Sequence, residues 1–215
     1  MEISDVLKGL QIAPVVKGEN FEPIDLSGPT VAKLGLDLGN RVEIESWFYS
    51  QTKKSIRYGG YLEKRSWYGR NPDFVNGAEV RNIHLGMDLW CSAGSNIHAP
   101  IKGKIHSYQF NDAPGDYGHT LILEHHISGF KFYTLYGHLA APKITDKGHE
   151  FNPGDAIAQV GSWEENGSWP PHLHFQIIID MEGKVGDYPG VCHEKEKGQF
   201  AKNCPHPMLL LPMLP

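Results

Sequence analysis

Glycine and proline set the strongest limit on how this chain can fold: 24 glycines and 15 prolines cut its 215 residues into short segments. Between the breaks stand runs such as TLILEHH, FKFYTLYGHL, AIAQVG and LHFQIIID, which are rich in β-branched and aromatic residues and bounded by turn signals. The expected fold is therefore mainly β, a small antiparallel sheet core, with little helical pattern after residue 70. The first part of the chain reads differently. DLSGPTVAKLGLDL and NRVEIESWFYSQTKK each suit a short helix or a strand, so we expect an α/β extension over 1–65 packed on a catalytic domain over 66–215. A 40% hydrophobic content at this length is enough for one sizeable core and hardly enough for two.

Charge and cysteine usage exclude several classes of function. The net charge is -5 and the basic residues are scattered, so there is no footprint for a phosphate backbone and no nucleic-acid partner is expected. MEISDVLKGLQIAPVV lacks the features of a secretory signal, which points to a cytoplasmic protein. The apolar tail MLLLPMLP falls well short of the ~20 residues of a membrane span and should pack on the domain. Cys91, Cys192 and Cys204 are expected as free buried thiols, because three cysteines do not make a disulfide scaffold. The pairs Cys192-His193 and Cys204-His206 fit the spacing of a structural zinc site poorly.

Four of the 12 histidines stand in contexts where strand geometry makes a spatial prediction. In His84-Leu85-Gly86-Met87-Asp88, alternation puts His84, Gly86 and Asp88 on one face, with the glycine leaving room for an ion. In His172-Leu173-His174 the two imidazoles share a face while Leu173 and Phe175 turn inward. In Tyr136-Gly137-His138 a phenol and an imidazole share a face. Rings buried together need something to satisfy them, and a divalent cation does so. Two histidines and one carboxylate are the ligand count of a catalytic zinc site with an open fourth position, and two imidazoles remain for proton transfer.

These motifs resemble those of the lysostaphin/LytM-type zinc endopeptidases, whose pattern is HxxxD, a later tyrosine-x-His-Leu, and His-Leu-His. The likeness covers about residues 80–180, including HLGMDLWCSAGSNIHAPIKGKIHS and NPGDAIAQVG. The resemblance implies zinc held by His84, Asp88 and His174, with catalytic roles for His138 and His172. It also implies a groove bordered by loops, here NDAPGDYGHT and SWEENGSWPP. Candidate groove residues are Tyr136, His119, Trp163 and Trp169, and one of His119, His125 and His126 is a candidate for supporting the site or contacting substrate. His98, His106, His149, His193 and His206 are expected on the surface or in loops.

The sequence departs from the family pattern in the bulky, acidic approach to His-Leu-His, which carries Trp163, Glu164, Glu165 and Trp169. Gln176 stands where relatives carry glutamate. Tyr68 is the nearest tyrosine upstream of the first motif. The expected activity is zinc-dependent hydrolysis of an amide bond in a small peptide or muropeptide-like substrate. The alternatives are a non-catalytic binding or regulatory module of the same fold, and a zinc hydrolase of a small non-peptide amide or ester. The sequence sets no oligomeric state.

Overall fold

The structure is a computed structural model that describes residues 2–35, 37, 40–49, 55–66, 68, 75–76 and 79–215. The N-terminal part supplies helix α1 (Ile3–Leu7), strand β1 (Asn20–Pro23), helices α2 (Gly28–Leu34) and α3 (Arg41–Tyr49), and strand β2 (Ser55–Gly59). Short strands β3 (Val75–Asn76), β4 (Glu79–Val80), β5 (Ile83–His84), β6 (Met87–Trp90) and β7 (Asn96–His98) follow. The long strands β8 (Gly103–Asn111), β9 (Gly118–Ile127) and β10 (Phe130–Leu139) form the centre. The chain closes with β11 (Glu150–Phe151), β12 (Ala156–Gln159), β13 (Leu173–Ile178), β14 (Val191–Cys192) and helix α4 (Lys197–Asn203). No helix among the described residues is long and apolar enough to cross a membrane.

Eight strands make one sheet in the order β1-β2-β6-β13-β10-β9-β8-β11, antiparallel except for the β1–β2 pair. The fold is thus mainly β, as expected, and β1 and β2 of the N-terminal part continue that sheet. The two segments that could have been helix or strand become helices where they are described, at α2 and α3. Pro29 in the first turn of α2 and a left-handed Gly35 at its end mark a helix that can start and stop cleanly.

Alternation divides the central strands between two faces. Phe132 and Tyr136 of β10 join Leu173, Phe175 and Ile177 of β13 in the main core, while Tyr133, Leu135 and Ile178 point the other way. The tail packs on the main core through Leu210, Leu211 and Leu214. Cys91, Cys192 and Cys204 are free and buried. His98 is a correction to its expected surface or loop position: it is only 6% exposed, because Val15 and Ile97 draw this edge into the core.

Candidate metal centre

Register brings the motifs together. β13 lies between β6 and β10, so His174 stands opposite Asp88 on one side and Gly137 on the other. His84, on β5, turns toward the same corner. The three candidate donor atoms are close: His84 Nε2 lies 2.9 Å from His174 Nδ1 and 3.2 Å from Asp88 Oδ1, and His174 Nδ1 is 3.2 Å from Asp88 Oδ1. All three residues are buried. Among the described residues they are the one group of this kind.

The atoms behind these donors fix their protonation. His84 Nδ1–H donates to the Gly60 carbonyl at 2.9 Å, and His174 Nε2–H donates to Gln176 Oε1 at 2.9 Å. A carbonyl can only accept, so in each neutral ring the other nitrogen carries a lone pair. Asp88 uses Oδ2 to accept from Arg65 Nη1 at 2.5 Å, which leaves Oδ1 for the shared corner. Three lone-pair atoms therefore converge with no proton between them, an arrangement that is repulsive unless a cation fills it. Donors about 2.0–2.2 Å from a zinc ion at tetrahedral angles lie roughly 3.3–3.5 Å apart, close to the spacing here. The donor set fits the metal.

Electrostatics support the same protonation states. Burial, aided by the Arg65 charge, pushes His84 down to about 3. Burial alone would raise Asp88, but His84 and Arg65 hold it well below the usual carboxylate range. Burial also lowers His138 and His172, each helped by neighbouring imidazoles. Both rings present Nε2 to the site, because His138 Nδ1–H donates to the Asn166 carbonyl at 2.8 Å and His172 Nδ1–H donates to the Pro170 carbonyl at 2.6 Å. Their ring centroids are 4.2 Å apart, and His172 Nε2 is 3.8 Å from Asp88 Oδ1.

All five motif residues, His84, Asp88, His138, His172 and His174, line one cavity of about 390 Å³. Of the candidate groove residues only Trp169 lines it, with its indole N–H on the Asp116 carbonyl at 3.2 Å. Trp163 instead donates to Glu45 of α3 and takes the Arg41 guanidinium over its ring. His119 stacks on Phe110 at 4.2 Å and accepts or donates at Tyr108 Oη, on the far part of the sheet. His125 is tied to the Lys102 carbonyl and to Thr134, and His126 pairs with Glu124, so neither reaches the cavity.

Tyr136 is a correction with a clear cause. Its hydroxyl takes a hydrogen bond from Thr134, its ring packs on Phe175, and it is fully buried on the core face. Simple alternation would have put His138 there as well. The β9–β10 register instead shifts between Tyr136 and Leu139, and His138 takes φ +61°, which turns its ring to the opposite face. The space over Gly86 is also not open for an ion as expected. A Cβ on Gly86 would lie 2.5 Å from His174 Nε2, so the glycine makes room for that ring.

Sequence reasoning passed over Arg65, Gly60, Tyr117, Asn166 and Trp90. Arg65 is 2% exposed and also donates to Glu63 at 2.7 Å. Tyr117 has its hydroxyl 3.4 Å from His174 Nε2, and Tyr68 shares its cavity. Asn166 locks the loop before His172, donating to the Trp169 carbonyl and accepting from the Trp169 N–H. Gln176 was visible as a departure from pattern, and its amide N–H on the Pro189 carbonyl at 3.1 Å explains why its oxygen faces His174.

Residues 82–185 match the model of peptidase family M23. No curated protein matches the chain. Among solved structures, a Pseudomonas aeruginosa structure assigned to peptidase M23 is 20% identical with a TM-score of 0.41, covering 60% of this chain and 43% of its own. A zinc-containing peptidase from Vibrio cholerae is 26% identical with a TM-score of 0.39, covering 51% and 31%. The catalytic domain of lysostaphin from Staphylococcus simulans is 22% identical with a TM-score of 0.44, covering 73% and 96%. The chain thus spans less than half of the first two.

Proposed function

We propose, from the match of residues 82–185 to the model of peptidase family M23 and from the geometry of the corner, that this chain is a zinc-dependent metalloendopeptidase that hydrolyses an amide bond of a small peptide or muropeptide-like substrate. The observation that carries the reading is the convergence of three lone-pair atoms on one buried corner, each held from behind by Gly60, Arg65 or Gln176. His84, Asp88 and His174 would hold the ion. Zinc there supplies a Lewis acid that polarises a carbonyl and lowers the pKa of water.

The remaining steps belong to the chain's own side chains. Neutral His138 and His172 each direct Nε2 into the cavity, so one accepts a proton as water attacks. The proton gained by that ring then passes, directly or by way of the neighbouring imidazole, to the leaving amine, so that both rings end neutral. Arg65 keeps Asp88 ionised by its buried ion pair. Tyr68 and Tyr117 line the same cavity, and burial raises the pKa of both, so their hydroxyls stay protonated as donors. Trp169 forms part of the cavity wall, and its bulk there supports a small soluble substrate over a cross-linked polymer.

The test is to incubate the zinc-loaded chain with soluble peptides, muropeptides and purified sacculi, with and without chelator, following release of new amines. The expected result is chelator-sensitive cleavage of a soluble substrate and little on sacculi. Efficient lysis of sacculi would overturn the size argument. Full zinc loading with no hydrolysis of any amide would overturn the enzyme.

A further inference from the structure

Helix α3 grips the loop that delivers His172. Arg41 pairs with Glu164 at 3.2 Å and Trp163 donates to Glu45. Tyr49 donates its hydroxyl to the Pro171 carbonyl, directly before His172. Phe48 stacks on Trp90 at 4.9 Å with planes 6° apart, and Trp90 in turn stacks on the His172 ring at 5.5 Å and 17°. The His172 imidazole is therefore backed by a two-ring column that begins on α3.

The chemistry of the loop explains why such support is needed. Pro170 and Pro171 have no N–H, so neither can donate to a ladder, and β13 begins only at Leu173. His172 uses its own Nδ1–H on the Pro170 carbonyl, so the ring follows wherever these two peptide units are held. The Pro171 carbonyl is held by Tyr49. We propose that Tyr49 and Phe48 are positioning residues for His172: they fix its Nε2 relative to the metal corner from a segment that lies outside the family-matched region of 82–185. The effect on turnover rests on the function proposed above, whereas the effect on the ring's placement does not.

The test compares the 215-residue chain with Tyr49→Phe, Phe48→Leu and the solvent-facing control Val42→Ala, all loaded with zinc. Tyr49→Phe removes only the donor and keeps the ring. Histidine Cε1–H correlations by NMR are read for His172, His84 and His174, with kcat and KM on any cleaved substrate. In Tyr49→Phe and Phe48→Leu the His172 signal is expected to move or broaden while those of His84 and His174 hold. kcat should fall on the order of tenfold with KM unchanged, as for a slightly misplaced catalytic group. Val42→Ala should match the wild type in every readout. If Phe48→Leu does not fold, Tyr49→Phe decides alone. A folded Tyr49→Phe whose His172 signal stays in place overturns the proposal, and it does so even if the chain cleaves no peptide.

Discussion

The three-donor corner and the histidine pair proposed for proton transfer are built in different ways. Asp88 and His174 sit opposite each other on paired strands, so the ladder itself sets their separation. His138 and His172 owe their places to irregular backbone: a register shift with a left-handed residue in one case, and two prolines ahead of a strand in the other. Regular hydrogen bonding thus sets the spacing of Asp88 and His174, and local departures from it bring His138 and His172 to the same cavity. The difference also explains where support comes from. The donors lean on Gly60, Arg65 and Gln176, whereas His138 and His172 lean on the Asn166 and Pro170 carbonyls, and through them on a loop braced by α3.

The largest expected effects separate the two groups. His84→Ala, Asp88→Ala and His174→Ala should each lose the metal and with it all measurable turnover. His138→Ala and His172→Ala should keep about one zinc per chain and lose ~10²–10⁴ in rate, the worth of a positioned acid or base. Metal content measured beside initial rates checks both. Zinc-free His172→Ala would erase the distinction.

A smaller effect sharpens the account of the donors' supports. Gln176→Ala removes the acceptor that holds the His174 tautomer and should weaken zinc roughly 10–100-fold, as loss of such outer partners does. Competition with a chelator of known affinity reads this directly, and unchanged affinity would show that the Gln176 bond does not matter to the ion.

The smallest effect concerns Tyr136, which lies on the core face rather than the groove. Tyr136→Phe should leave zinc content and turnover within about twofold of wild type, and lower stability by about 1 kcal/mol for the lost Thr134 hydrogen bond. A large fall in kcat with intact stability would return Tyr136 to the site.

These cases show what was legible in the sequence. Period-two alternation was enough to place Leu173 and Phe175 inward, because β13 pairs without a register shift and both residues sit in the apolar core. The same rule misplaced Tyr136 beside His138, since a register shift that turns one residue over leaves no mark in a binary pattern. Trp163 and Trp169 look alike in sequence, and only their partners, Glu45 against the Asp116 carbonyl, send one to α3 and the other to the cavity. Arg65 carried no local signal. Its importance comes from a contact with Asp88 across 23 positions of sequence, which no spacing rule within one segment can reveal.

The central claim is that His84 Nε2, Asp88 Oδ1 and His174 Nδ1 hold one zinc ion. Zinc K-edge absorption spectroscopy on the metal-loaded chain tests it most directly. The account predicts about one zinc per chain, an inner shell of nitrogen and oxygen at ~2.0–2.2 Å, and the outer scattering of two imidazoles. Sulfur scattering at ~2.3 Å would contradict it and would place the ion on cysteine, with Cys192 and Cys204 the first residues to suspect.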